Sequence, residues 1–274
     1  MSHTRTVTPA QWGSLILTTV AMGAATALPA QTADHSAHDA PILLAQAEGG
    51  EGGEGGEGGE GGASVADGAG YLASLGFIEG HLRSGLALYA QGHAEMAITH
   101  MKHPGDEIYT DLAPELAERG HPGFADQLAA LADTVENGAP VADAEAAFAG
   151  LQEAIASAAG TPSDEDTLQA MVILARTAAE EYAIGVSNGE ITNLHEYQDA
   201  HGFLTVVKRH AETLAADSEP KIAEAGQKIL GVLADADAAF VTLTPESGKL
   251  PTDGAEKLYA AAAWIELAAL TSSR

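Results

Sequence analysis

Cysteine does not occur in this chain, and that absence removes thiolate metal sites, disulfide staples and cysteine nucleophiles together. Any ligand must use imidazole nitrogen, oxygen or thioether. Basic residues are scarce: 12 Lys and Arg face 39 Asp and Glu, for a formal net charge of −27. Such a field repels phosphate backbones and anionic lipid and attracts cations, so nucleic acid is a poor partner. An unbroken apolar run long enough to cross a bilayer is missing too. The stretch from Trp12 to about Ala27 is interrupted by Gly13 and Gly23 and falls short of the roughly 20 residues a span needs. No segment alternates strictly in period two, and only Phe240 to Leu243 has local strand chemistry.

Catalytic signatures are also lacking. His195 and His201 are six residues apart, whereas a zinc-protease helix needs its histidines four apart. Gly185-Val186-Ser187-Asn188-Gly189 has the letters of a nucleophile elbow, but that motif follows a strand and this one follows an alanine-rich helical pattern. Phosphate-loop, EF-hand and haem-attachment patterns are not found. No nucleophile, base and orienter can be named together, and a non-enzymatic protein is expected.

What is present divides into three parts. Residues 1–30 read as a secretory signal, with His3 and Arg5 before the apolar stretch and small residues at Ala27 and Ala30. Ala45-Gln46-Ala47 also fits a cleavage pattern, so the mature chain is expected to begin between Leu28 and Glu48, to be periplasmic and not to insert into the membrane. Residues 31–69 form an acidic linker whose EGGEGGEGGEGGEGG run buries nothing and is expected to be disordered. Residues 70–274 carry helical periodicity nearly throughout and 46% of the whole chain is apolar, enough for a packed core.

In that last part Leu72, Leu75, Ile78, Leu82, Leu86 and Tyr89 recur at three and four, with Glu79 and Arg83 paired one turn apart on the expected wet side. A second helix starts near His93 and should stop by His103, because Pro104 disfavours helical geometry before it. Further helices are expected over Asp106–Arg119, Phe124–Val135, Val141–Ala158, from a capping box at Ser163 and Asp166 to Val186, over Asn193–Ala215 and Pro220–Phe240, and over Glu256–Leu270. The fold class is therefore all-α: a bundle built from two helical hairpins with additional short helices. The hairpins are the helix, glycine turn and His-rich helix of SGLALYAQGHAEMAITHMKHP and the echoing EEYAIGVSNGEITNLHEYQDAHG.

The His-rich helix is the strongest chemical signal. His93, Met96, His100 and His103 fall at i, i+3, i+7 and i+10, which puts them along one helical face. Imidazoles with a thioether suit copper, while imidazoles completed by carboxylates such as Glu95 or Glu107 suit iron or zinc. The competing reading makes these histidines structural, in a polar seam or at a helix end where cations are favoured. The second hairpin offers Glu180, Glu181, Tyr182, Glu190, His195, Glu196, Asp199 and His201; His195 and Asp199 are one turn apart and share a face.

Residues 180–200, EEYAIGVSNGEITNLHEYQDA, resemble the helical hairpin in the periplasmic domain associated with bacterial FTR1-type iron permeases, with Tyr182, Gly189, Glu196 and Tyr197 at the matching positions. The resemblance implies an all-helical periplasmic protein linked to uptake of a transition metal. It does not extend to a permease span or an intramembrane iron motif. An imelysin-like relative is disfavoured because its GxHxxE motif is not found.

The function expected is a periplasmic transition-metal-binding protein linked to iron or copper acquisition. Its expected partners are the metal ion and an inner-membrane metal permease or another periplasmic protein. Candidate metal ligands are His93, Met96, His100, His103, Glu107, Glu181, Glu196 and His201. The alternative is a helical protein–protein interaction module with structural histidines and no metal.

Overall fold

The computed structural model describes residues 64–246 and 248–272; the expected signal peptide and nearly all of the linker lie outside them. The helices are α1 (Gly68–Ala90), α2 (Ala94–His103), α3 (Tyr109–Glu118), α4 (Ala125–Glu136), α5 (Val141–Ala159), α6 (Asp164–Gly185), α7 (Leu194–Ala215), α8 (Pro220–Ala236) and α9 (Gly254–Ser272). The protein is all-α, as the periodicity predicts. Strand is confined, among the described residues, to β1 (Val186–Ser187) and β2 (Glu190–Ile191), an antiparallel pair between α6 and α7. Asn188 and Gly189 both have positive φ there, 53° and 80°, as a two-residue hairpin turn requires. None of the described helices is long and apolar enough to cross a membrane.

The expected helix starts have their caps. Asp67 accepts from the Gly70 amide at the start of α1, and Ser163 Oγ accepts from the Asp166 amide at 3.0 Å while its hydroxyl donates to the Asp166 carboxylate. Asn193 caps α7 by accepting from the His195 amide at 3.1 Å, and its amide donates back to Glu196 Oε1 at 3.3 Å. These bonds satisfy donors that a helix's first turn leaves open. In α7 they also fix the turn that carries His195 and Glu196.

Both hairpins form, but the closed ring of four helices runs α6–α7–α8–α9 and back to α6. α1 lies across α6 and α7, and brings α2 and α5 with it. This placement makes α1 a central helix. The expectation of a wet side at Glu79 and Arg83 is corrected: the i,i+4 pair exists at 2.6 Å, but Glu79 is buried, also taking Arg209 from α7 and Gln152 from α5. Burying a carboxylate demands this many donors, since an unpaired one would cost several kcal/mol, on the order of that for any isolated buried charge.

Close approach of α1 and α7 is set by small residues. A Cβ on Gly202 would run into the Gly80 carbonyl oxygen and come within 2.7 Å of Ser84 Oγ. A Cβ on Gly80 would sit 2.5 Å from the Phe203 ring. With neither Cβ present, Phe77 and Phe203 meet edge to face at 5.0 Å, both fully buried. Gly85 does the same for α2, where a Cβ would meet the Ala97 carbonyl and the His100 Cβ at 3.1 Å.

The second correction concerns Pro104. The chain does not break there; Pro104–Ile108 forms a single π-helical turn, with the Tyr109 amide donating to the Pro104 carbonyl, and leads directly into α3. Proline is tolerated because it stands at the first position of the turn, and His103 holds helical angles of φ −47° and ψ −50° despite the local preference against them. Pro104 and Ile108 are both buried, so tertiary packing overrides the local bias. Such π-turns recur at functional sites.

Candidate metal centre

Three segments far apart in sequence meet at one buried carboxylate. Asp199, on the second turn of α7, is 1% exposed and is met by three imidazoles. His81 of α1 donates from Nδ1 to Asp199 Oδ1 at 2.6 Å. His100 of α2 places Nδ1 2.9 Å from the same oxygen. His195 of α7 places Nδ1 3.2 Å from Oδ2. His103 completes the cluster, its ring 4.7 Å from that of His81 and 5.7 Å from that of His195, and Glu107 of the π-turn stands 3.6 Å from His103 Nδ1. His100 and His195 stack at 4.2 Å.

The neighbour of Asp199 decides a tautomer. Gln198 donates from Nε2 to the Leu243 carbonyl at 2.9 Å, so its Oε1 must be the atom that faces His100 Nε2 at 2.8 Å. His100 therefore carries a proton on Nε2 and donates it there. Its Nδ1 is buried without a hydrogen bond, because the 2.9 Å approach to Asp199 Oδ1 is poorly aligned for one. In a neutral ring that nitrogen would turn a lone pair on the carboxylate oxygen, and a cation shared by the two, proton or metal ion, relieves the contact.

Burial works against charge on Asp199, but His81 and His100 beside it outweigh that and hold its carboxyl well below the usual carboxylate range. Burial is also the main influence on His195, pushing it down to about 4; Asp199 opposes this, and His100, His81 and His103 add to it. His195 is therefore neutral at pH 7, with a lone pair to offer. The unfolded chain binds a proton at this histidine near 6.5, while the folded one refuses it down to about 4, so folding loses stability as pH falls through that window. Burial lowers His201 and His210 as well, in the same direction. Asp199 acts in the same direction but lower on the pH scale, its contribution being lost only below the ordinary carboxylate range. Chelator-treated protein should lose up to about 3 kcal/mol at His195 between pH 6.5 and 4. Thermal melts should show a fall in Tm on the order of 5–10 °C, reduced in His195→Gln; pH-independent melts in this range would contradict the assignment.

Of the residues singled out from sequence, the structure brings His100, His103, Glu107 and Glu196 to this cluster. One ligand atom each from His195, Glu196 and Asp199 lies within 4.8 Å of the others, as does one each from His81, His100 and Asp199. Met96 stops one residue short: it is 37% exposed, and its sulfur lies 3.7 Å from Gln198 Nε2. Three residues are placed elsewhere. His93 stands before the first turn of α2 as its N-cap residue with φ −93° and ψ 60°, so helical spacing does not align it with His100. Glu181 is buried on α6 and acts on Tyr259 of α9. His201, six residues beyond His195, packs against Phe240 at 5.3 Å near Asp237 and Lys208.

His81 escapes the sequence reading, and His195 and Asp199 are legible there only as a pair one turn apart. The available signal for His81 is its setting in IEGHLRSG, a lone imidazole among small and apolar residues of a helix otherwise built for burial.

Residues 157–263 match the family model of the iron permease-associated 4-helix bundle domain. The match runs from the end of α5 into α9, covering α6, α7 and α8 whole and α9 as far as residue 263. It contains the hairpin at residues 180–200 that resembles the FTR1-associated domain, and it links this protein to iron permease systems. His195, Glu196, Gln198 and Asp199 fall inside the iron permease-associated segment, whereas His81, His100 and His103 fall before it. No curated protein and no solved structure matches the chain.

Proposed function

We propose that this protein is a periplasmic transition-metal-binding protein, for iron before copper, that serves an inner-membrane metal permease and performs no catalysis. The observation that carries the reading is the convergence of the His81 and His100 ring nitrogens on Asp199 Oδ1, with the buried His100 Nδ1 left without a hydrogen bond. Two imidazoles and a carboxylate are a donor set that suits Fe(II), with zinc as its competitor. Ligands about 2.1 Å from a metal stand about 3 Å apart, so the 2.6 and 2.9 Å separations need to open by only a few tenths of an ångström or less. Copper(I) would want sulfur, and Met96 reaches Gln198 rather than the cluster. Gln198, anchored on Leu243, would orient the His100 ligand as a supporting shell does. The link to iron permease systems supports iron as the cargo.

Calorimetric titration of chelator-stripped, tag-free protein with anaerobic Fe(II), Zn(II) and Cu(I) tests this. Binding should weaken as pH falls and protons compete for the ring nitrogens, because a protonated ring has no lone pair to donate. His100→Ala should lower affinity at least about tenfold, about 1.4 kcal/mol, while Met96→Leu and His121→Ala should not. Equal, weak binding by wild type and His100→Ala would leave Asp199 as a hub that ties α1, α2 and α7 together, and the protein as an interaction module.

A further inference from the structure

Asp199 offers two oxygens, and the protein surrounds each with a different set. On the Oδ1 side stand His81 and His100, both fully buried. On the Oδ2 side stand His195, whose side chain is 14% exposed, and Glu196, with the ligand atoms of His195, Glu196 and Asp199 all within 4.8 Å of one another. His195 faces Oδ2 through Nδ1, and its Nε2 is buried without a hydrogen-bond partner, so neither ring nitrogen is committed to another part of the protein. A single ion held by His81, His100 and Oδ1 leaves this second set unused.

Resting on the metal reading above, we propose that Asp199 bridges two metal positions, an inner one with His81 and His100 on Oδ1 and an outer one with His195 and Glu196 on Oδ2. A syn–syn carboxylate bridge holds two ions about 3.5–4 Å apart, and both sets lie on one side chain. Charge sets the order of filling. The first divalent ion offsets the two buried carboxylates, Asp199 and Glu196; the second enters against the first, with Glu107 beside His103 as a further carboxylate. The outer position is therefore the weaker one. It is also the nearer to solvent, which suits it to receive an ion from outside or pass one on, while the inner position retains its own.

Co(II) is a suitable probe, because its absorption and electron paramagnetic resonance spectra report both coordination and coupling between ions. Anaerobic titration of the full chain should fill two positions in sequence, the second at least about tenfold weaker than the first. With both filled, the signal per Co(II) should drop as the bridged ions couple. Glu196→Gln should reduce the stoichiometry from two to one, with the tight position weakened by the lost charge but still filled. Glutamine also serves at the third position of a helix cap, so α7 should still start at Asn193; His195→Gln, checked by circular dichroism, gives the same readout independently. His81→Ala should instead weaken the tight position. One equivalent in the wild type, or two equivalents persisting in both Glu196→Gln and His195→Gln, would overturn the bridged pair and leave the single-ion reading standing. Uptake of no Co(II), Fe(II) or Zn(II) at all would overturn both.

Discussion

Asp199→Asn should cut metal affinity by at least about 100-fold, about 2.7 kcal/mol, the largest effect expected of any single substitution in the centre. The substitution keeps the volume of the side chain and removes the one charge on which three imidazoles converge. It also replaces an acceptor-only group by one that presents an NH₂, so either His81 loses its acceptor or a second ring faces a donor. Its effect on stability is smaller. Loss of the charge-assisted bond from His81 and of the interactions that hold the Asp199 carboxyl ionised should cost on the order of 1–3 kcal/mol at neutral pH. Far-ultraviolet circular dichroism should show the helices intact and calorimetry should show little or no heat of binding. Wild-type affinity in a folded Asp199→Asn protein would refute the role of this carboxylate.

The second large effect lies outside the cluster, at Gly202→Ala. The added methyl would collide with the Gly80 carbonyl and press on Ser84 Oγ, which is already committed to the Gln198 carbonyl at 2.7 Å. Backbone atoms of a packed helix cannot step aside, so α1 must move away from α7. Overpacking of this kind costs up to about 3 kcal/mol, and the better helix propensity of alanine returns at most about 1. A net loss of about 2 kcal/mol should lower Tm by roughly 4–8 °C. The same displacement would draw His81 away from Asp199, so metal affinity should fall together with stability, by tenfold or more. Gly150→Ala is the control. Position 150 lies within α5 with open space around its Cβ, and alanine there should stabilise by up to about 1 kcal/mol without touching binding. A Gly202→Ala protein as stable as wild type, with unchanged affinity, would show that the close crossing does not position His81.

Sequence alone determined the helices, because what specifies them is local. Three-and-four spacing of apolar residues, Ser163 with Asp166, Asn193 before α7 and Asn188-Gly189 between α6 and α7 act over a few residues, and each has its counterpart in the structure. Local chemistry misled at Pro104, where burial of Pro104 and Ile108 holds the chain helical through a π-turn, and at Glu79, where a surface-like ion pair is buried by helices that arrive from elsewhere. The centre was only half legible. His100, His103, Glu107 and Glu196 stand out by spacing and composition, but which of eight candidates converge depends on how α1, α2 and α7 cross, and that is fixed by glycines at 80, 85 and 202 that carry no chemistry of their own. His81 and Asp199 are 118 positions apart, and nothing in either neighbourhood refers to the other. Helical periodicity reports which face of a helix is buried; only the packing of all the faces together decides what each buried side chain meets.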